Sequence, residues 1–236
     1  MTDLTALMEA SWPPAERVAL GPFVLRRGLG GGQRVSAATV HGPWVQSDVI
    51  GAASAMREMG QTPLFMLSPS DADLDLALQE WGYMQKDPVV VLAAPCKDAA
   101  GDGPAYMTSF PHWPPMSIAR VLWEDGHIGP DRIAIMDRAQ GPKTALLGRT
   151  NDRASGVAFV AMSGDVAFVH ALHVVASLRR QGAAQNLMRA AALWAGEQGA
   201  TTLALAVTAA NEAARALYTS LGMRSVEHYH YRVWAE

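Results

Sequence analysis

The residues best suited to chemistry stand close together in the second half of the chain. Arg179-Arg180-Gln181-Gly182-Ala183-Ala184 separates an apolar run, residues 166–174, from a stretch whose apolar residues (Ala184, Leu187, Met188, Ala191, Ala195) recur at spacings of three and four. The pattern reads as strand, basic turn, helix. A helix start offers free backbone N–H groups and the positive end of a dipole, so this turn suits a phosphorylated ligand. Gly182 lets the backbone approach an anion where a side chain would collide, and Arg179 and Arg180 add charge. The strand before the turn carries two titratable residues, His170 and His173. Histidine changes charge near neutrality and suits proton transfer. Three positions apart, the two face opposite sides of a regular strand, so only one faces a cleft unless a bulge intervenes. Near the C-terminus His228 and His230 alternate with tyrosines on one strand face. No third ligand accompanies them, so no metal site is expected.

The elements that must position these residues follow from periodicity and turn chemistry. Helices are expected over 117–124 and 131–138, and a strand over 144–148. Strands over 156–162 and 166–174 are joined by Ser163-Gly164-Asp165 and should pair antiparallel. The helix from Gly182 runs to Gln198 and stops at Gly199. A strand carries Leu203, Leu205 and Val207. Asn211 then caps a helix with Ala214, Leu217, Tyr218 and Leu221 on one face, closed by Gly222, and a last strand spans 229–234.

The first half reads as a helix over 2–10 and strands over 23–27 and 34–39. A helix over 46–59 follows, capped by Asp48 and ended by Gly60. Next come a strand over 64–67, a helix over 71–80 closed by Gly82, and a strand over 88–94. The glycine-rich run at 28–32 lies between two strands. It is not followed by a helix and lacks the Lys-Ser/Thr of a nucleoside triphosphate loop, so it reads as a flexible hairpin turn. Residues 95–103, rich in Ala, Gly, Asp and Pro, mark a domain boundary.

Bulk properties narrow the class. Of 236 residues 50% are hydrophobic and 17% charged, enough for a sizeable globular core. A net charge of −3 gives no basic face for nucleic acid. Cys96, the single cysteine, excludes an intrachain disulfide and a multi-cysteine metal site. Asp3 and Glu9 precede any basic residue, which does not fit a signal peptide, and no apolar run approaches the ~20 residues of a membrane span. The expectation is a cytoplasmic, soluble protein that engages neither membrane nor nucleic acid, with a homodimer open to it.

On these residues the second half, from about Tyr106 on, resembles the GNAT (GCN5-related N-acetyltransferase) superfamily. The cofactor motif of that family is Gln or Arg, two residues, Gly, one residue, Gly or Ala, and it stands here as Arg179 to Ala184. The next motif stands as Val207-x-x-x-Asn211-x-x-Ala214-x-x-Leu217-Tyr218-x-x-Leu221-Gly222-Met223. Ala176 departs from a proline common in the family. The resemblance implies an α/β (α+β) fold with a mixed, mostly antiparallel sheet flanked by helices. It implies acetyl-coenzyme A as co-substrate, its pyrophosphate on Arg179, Arg180, Gln181, Gly182, Ala183 and Ala184, and its acyl arm along the strand at Leu172 and Val174. That strand should splay from the strand at 203–207, and a bulge within 170–174 should aim an N–H at the thioester oxygen. Tyr218 becomes the candidate general acid, protonated at neutral pH by its ordinary pKa of ~10. Asn211 is a helix cap and a candidate pantetheine contact. Many members carry a glutamate base on this strand. It is absent here, which leaves His170 and His173 as candidates.

A shift of 140 residues lays the end of the first half over the end of the second without a gap. Leu67 meets Val207, Asp71 meets Asn211, Leu74 meets Ala214 and Gly82 meets Gly222. Such a repeat implies two copies of one fold unit. The first copy lacks the basic loop, having Thr39-Val40-His41-Gly42-Pro43 in its place, and has Leu78 in place of Tyr218. The expected organisation is a degenerate GNAT-like domain over 1–95, a linker over 96–104 and a catalytic domain over 105–236. The first should not bind coenzyme A and should form one wall of the acceptor site. The expected activity is acetyl transfer to a primary amine by direct attack through a tetrahedral intermediate, the acceptor being a small molecule or a protein amino group. The rival is a non-catalytic acyl-coenzyme A sensor.

Overall fold

The structure, a computed structural model, describes residues 4–234. In chain order the elements are α1 (Leu4–Ser11), β1 (Glu16–Leu20), β2 (Phe23–Arg27), β3 (Thr39–Val40), α2 (Gln46–Glu58), β4 (Leu64–Leu67), α3 (Ala72–Glu80), β5 (Tyr83–Pro95), α4 (Cys96–Ala100), β6 (Ser109–His112), α5 (Ser117–Asp125), α6 (Pro130–Arg138), β7 (Lys143–Thr150), β8 (Arg153–Ser163), β9 (Val166–Val174), α7 (Ala183–Glu197), β10 (Thr202–Thr208), α8 (Glu212–Ser220) and β11 (Arg224–Trp234). Thr2 and Asp3, at the head of the helix expected over 2–10, lie outside the described residues. The described residues form two compact units that interleave along the sequence. One takes residues 4–13, 91–207 and 212–226, and the other takes 14–90, 208–211 and 227–234.

In the first unit the strand order is β10-β9-β8-β7-β6. All neighbours pair antiparallel except β10, which runs parallel to β9. The β8–β9 hairpin turns at Gly164, whose φ of 60° is left-handed. Side chains alternate across β8, so two layers are covered by different helices. Leu187 of α7 lies over Gly156 on one face, while Phe159 on the other meets Trp12, 6.0 Å between ring centroids, just past α1. Cys96–Ala100, inside the stretch read as a connector, is a short helix with Cys96, Ala99 and Ala100 buried. Burial pushes the Cys96 thiol up to about 11, so it stays a protonated, inert thiol. The helix α8 ends as the glycine at 222 suggests. Met223 N–H donates to the Tyr218 carbonyl (3.1 Å) and Gly222 N–H to the Thr219 carbonyl (3.0 Å), a Schellman closure.

The second unit holds a three-stranded antiparallel sheet, β1-β2-β3, and the order β4-β11-β5. Phe23, Leu25, Met56, Phe65, Leu74 and Leu78 share its core. Three expectations are corrected. The strand expected over 34–39 is a 3-10 turn, Gln33–Val35, followed by the two-residue β3, and β2 instead forms its hairpin with the unforeseen β1. The glycine-rich run is tied rather than flexible, because Gln61 Oε1 accepts Gly28 N–H (2.8 Å) while its Nε2 donates to the Arg26 carbonyl (2.8 Å). Asp48 sits three residues into α2, not at its cap, and accepts the Val45 N–H at 3.0 Å. The 140-residue offset appears in the elements as well. The nine-residue helices α3 and α8 begin at Ala72 and Glu212, and Gly82 and Gly222 follow them with φ of 90° and 80°.

An ion cluster fixes β11 to α3 in this unit. Arg232, 6% exposed, donates to Asp75 (2.6 Å) and Gln79 (2.8 Å), and His230 Nε2 lies 2.8 Å from the same carboxylate. Burial raises the Asp75 carboxyl, but the bonds from Arg232 and His230 outweigh it and hold the group below its ordinary value. The folded state therefore prefers the charged form. Its contribution is present above the unfolded carboxyl range near ~pH 4 and is lost as pH falls through the lower folded value. Asp75→Ala should cost about 2 kcal/mol by leaving Arg232 buried without its anion, a figure reduced because Asp75 is partly exposed. Melting curves at pH 7 should show this loss, and the gap to the parent should close as pH falls through the lowered folded value of Asp75.

Candidate active site

The β9 strand changes character midway. Its ladder with β10 runs from Thr202–Val166 to Leu205–Val169, and His170 comes next. Across β8, Phe159 opposes His170 and Val157 opposes His173, so Ala171 and Leu172 together face Ala158. This is a bulge, one extra residue in β9, with Ala171 in a left-handed conformation at φ 50°. An alanine there costs roughly 1 kcal/mol, so neighbours must hold it. One does: Trp123 Nε1–H, from α5, donates to the Ala171 carbonyl at 2.8 Å.

The bulge is the exception to the alternation of a regular strand, which would set the two histidines on opposite sides. Their cross-strand partners are two residues apart, so His170 and His173 share a face. They meet different neighbours there. His170, 7% exposed, has Nε2 2.8 Å from the Ser11 hydroxyl and its ring 4.9 Å from Trp12. His173 has Nε2 3.0 Å from Asp125 Oδ2 at the end of α5.

Beyond β9 the chain makes a 3-10 turn, Ala176–Leu178, anchored by buried Leu178. Arg179 Nε donates to the Val174 carbonyl (3.1 Å), and Gln181 Oε1 accepts from Asn151 (3.0 Å) in the β7–β8 turn. Arg180 is exposed with φ 63°, and Gly182, the cap of α7, has φ 83°. A Cβ built on Gly182 would meet nothing within 4 Å, so the space ahead of the helix is open. Ala183 is buried, Ala184 half-buried, Leu172 half-buried and Val174 buried. An open helix start beside an exposed guanidinium, after a strand that has left its parallel neighbour, fits a diphosphate ligand with an extended arm.

Tyr218 lies in α8, 7% exposed. Burial pushes its hydroxyl up to about 12. Among the described residues no hydrogen bond is made by that hydroxyl, so the carbonyl partner a packed core tyrosine would find is missing. Asn211 precedes α8, belongs to the second unit, and donates its backbone N–H to the Thr208 carbonyl at 3.0 Å. Among the described residues no group of three or more metal-ligating side chains occurs, and no helix is long and apolar enough to cross a membrane.

Residues 110–223 match the acetyltransferase (GNAT) family, just under half of the chain. A GCN5-related N-acetyltransferase from Kribbella flavida is 18% identical and superposes with a TM-score of 0.71 over 99% of this chain and 95% of its own. The chain has the GNAT fold. A second GNAT structure, from Sphaerobacter thermophilus, is 13% identical with a TM-score of 0.59 over 89% of this chain and 76% of its own. A tandem GNAT protein from the clavulanic acid biosynthesis pathway, solved without AcCoA, is 13% identical with a TM-score of 0.60 over 83% of this chain and 74% of its own. No curated protein matches the sequence. The mixed, mostly antiparallel sheet flanked by helices is thus the expected one.

Sequence reasoning missed Trp123, Asp125 and Gly126. The dipeptide Asp125-Gly126 reads only as a helix end, and nothing local says that this end meets a strand 48 residues later.

Proposed function

We propose that this protein is an acetyl-coenzyme A-dependent N-acetyltransferase acting on a primary amine. The bulge at Ala171 carries the reading: it sits where β9 leaves β10 and beside the Asp125-paired His173. When bound, acetyl-coenzyme A supplies a thioester-activated acetyl group. The start of α7 with Arg180 would hold its diphosphate, and backbone groups of Leu172 and Val174 would align its arm. A backbone N–H at the bulge serves the developing oxyanion. His173 is the base for the amine proton, and His170, enclosed by Ser11 and Trp12, is structural. Tyr218 donates a hydrogen bond to the departing sulfur.

The first half is proposed to be a worn second copy. The shared 140-residue spacing of α3 and α8 supports this, and so does Leu78, fully buried where Tyr218 would stand. Two measurements test the reading together. Coenzyme A release should accelerate with some member of a panel of small amines, lysine peptides and free N-termini, and a titration should give one coenzyme A per chain. Tight binding with no accelerating amine would favour a sensor, and two molecules per chain would refute the worn copy.

A further inference from the structure

The last turn of α5 touches the bulged strand at three points. Trp123 Nε1 holds the Ala171 carbonyl at 2.8 Å, and Asp125 Oδ2 lies 3.0 Å from His173 Nε2. Gly126 is the third: a Cβ built there would fall 2.5 Å from His173 Nδ1 and 2.6 Å from Cγ. Gly126 has φ −85°, which any residue adopts, so close approach to the imidazole, not backbone freedom, is what calls for glycine. Three of four consecutive residues thus meet two residues of β9.

We infer that Asp125 is a positioning residue that fixes the tautomer of His173, with Gly126 keeping its other ring nitrogen clear. The inference rests on His173 being the base. A carboxylate can only accept, so Nε2 must carry the proton and the lone pair of the neutral ring falls on Nδ1. That nitrogen lies on the Gly126 side, where only a glycine leaves room beside it. The remaining surroundings do not compete. Val157, the cross-strand partner on β8, is apolar, and His170 on the same face is engaged with Ser11. Trp123 completes the device by holding the backbone two residues before His173.

The consequence is a division of labour. Asp125 orients the ring without touching the acceptor, and His173 takes the proton at Nδ1. Asp125 is on the surface side of the pair, its side chain 58% exposed, so replacing it does not threaten folding.

The test combines nitrogen NMR of the imidazole with kinetics. In the parent, at a pH where the ring is neutral, His173 should show a protonated Nε2 and a bare Nδ1. Asp125→Asn can turn either its oxygen or its amide toward the ring, so the spectrum should move toward a mixture of tautomers. Turnover with acetyl-coenzyme A and the best amine of the panel should fall about tenfold while KM for acetyl-coenzyme A is unchanged, and Asp125→Glu should recover part of it. Gly126→Ala should displace the ring resonances and lower turnover without touching Asp125. If Asp125→Asn leaves both the tautomer and turnover as they were, the inference is overturned. His173→Ala separates the two levels: full activity there removes the base itself, whereas a dead His173→Ala beside an unaffected Asp125→Asn removes only the positioning role.

Discussion

Gly182→Val leaves the protein folded and removes measurable acetyl-coenzyme A binding. Gly182 has φ 83°, so any side chain there pays the left-handed penalty of about 1–2 kcal/mol, and a β-branched one more. A folded domain absorbs that. The added atoms meet no protein within 4 Å, so they project into the open space where the anion would lie. Both effects act on the ligand: the first amides of α7 are re-aimed and the approach to them is filled. A fall in affinity of at least about a hundredfold, ~2.7 kcal/mol, is expected by calorimetric titration. Gly199→Val is the matched control. It lies just past the other end of α7 with φ 92° and equally open surroundings, so it carries the same strain with no bearing on the ligand. Equal affinity in the two variants would refute the anion site at Gly182.

The second large effect is expected at Tyr218. Tyr218→Phe should lower turnover about a hundredfold while acetyl-coenzyme A affinity stays within twofold. The ring is retained, so packing of α8 is kept, and the hydroxyl makes no hydrogen bond among the described residues that its loss would break. The pushed-up value of about 12 sets the form of this catalysis. Ordinary thiols titrate near ~8.5, so full transfer from this phenol to a thiolate is uphill by roughly 5 kcal/mol. The hydroxyl acts by hydrogen bonding to charge as it develops, not by delivering its proton in advance. It remains protonated below about pH 12, so its ionisation should produce no fall in rate between pH 7 and 10. Unchanged turnover in Tyr218→Phe would remove the assignment.

What the sequence discloses depends on how local each cause is. Strand β9 was legible to the residue, 166–174, because an apolar run is bounded by Gly164 on one side and a basic turn on the other. Helix α8 was legible from the small and apolar residues on one face and from Gly222. The bulge position could be anticipated only by family resemblance, since nothing in Ala171-Leu172 marks a left-handed alanine. The partners of the histidines were not legible at all. Ser11 is 159 residues from His170 and Asp125 is 48 from His173, and each contact exists only because a helix packs across the strand. The strand expected over 34–39 failed for a related reason. Its apolar residues, Val35, Ala37 and Ala38, are buried as a strand face would be, but Val35 is buried from a 3-10 turn and Ala37 and Ala38 from the residues after it, where Ala38 bridges to Phe65.

The interleaving of the two units has a consequence for inheritance. Neither half of the coding sequence specifies a complete unit: residues 4–13 and 91–95 from the first half are built into one, and 227–234 from the second half into the other. A gene split between the halves, or a protease cut at 101–104, would separate each unit from backbone it needs. A half that had lost its ligand could therefore decay in sequence but not be deleted, because its neighbour folds with part of it. The two units are thereby bound into a single heritable object.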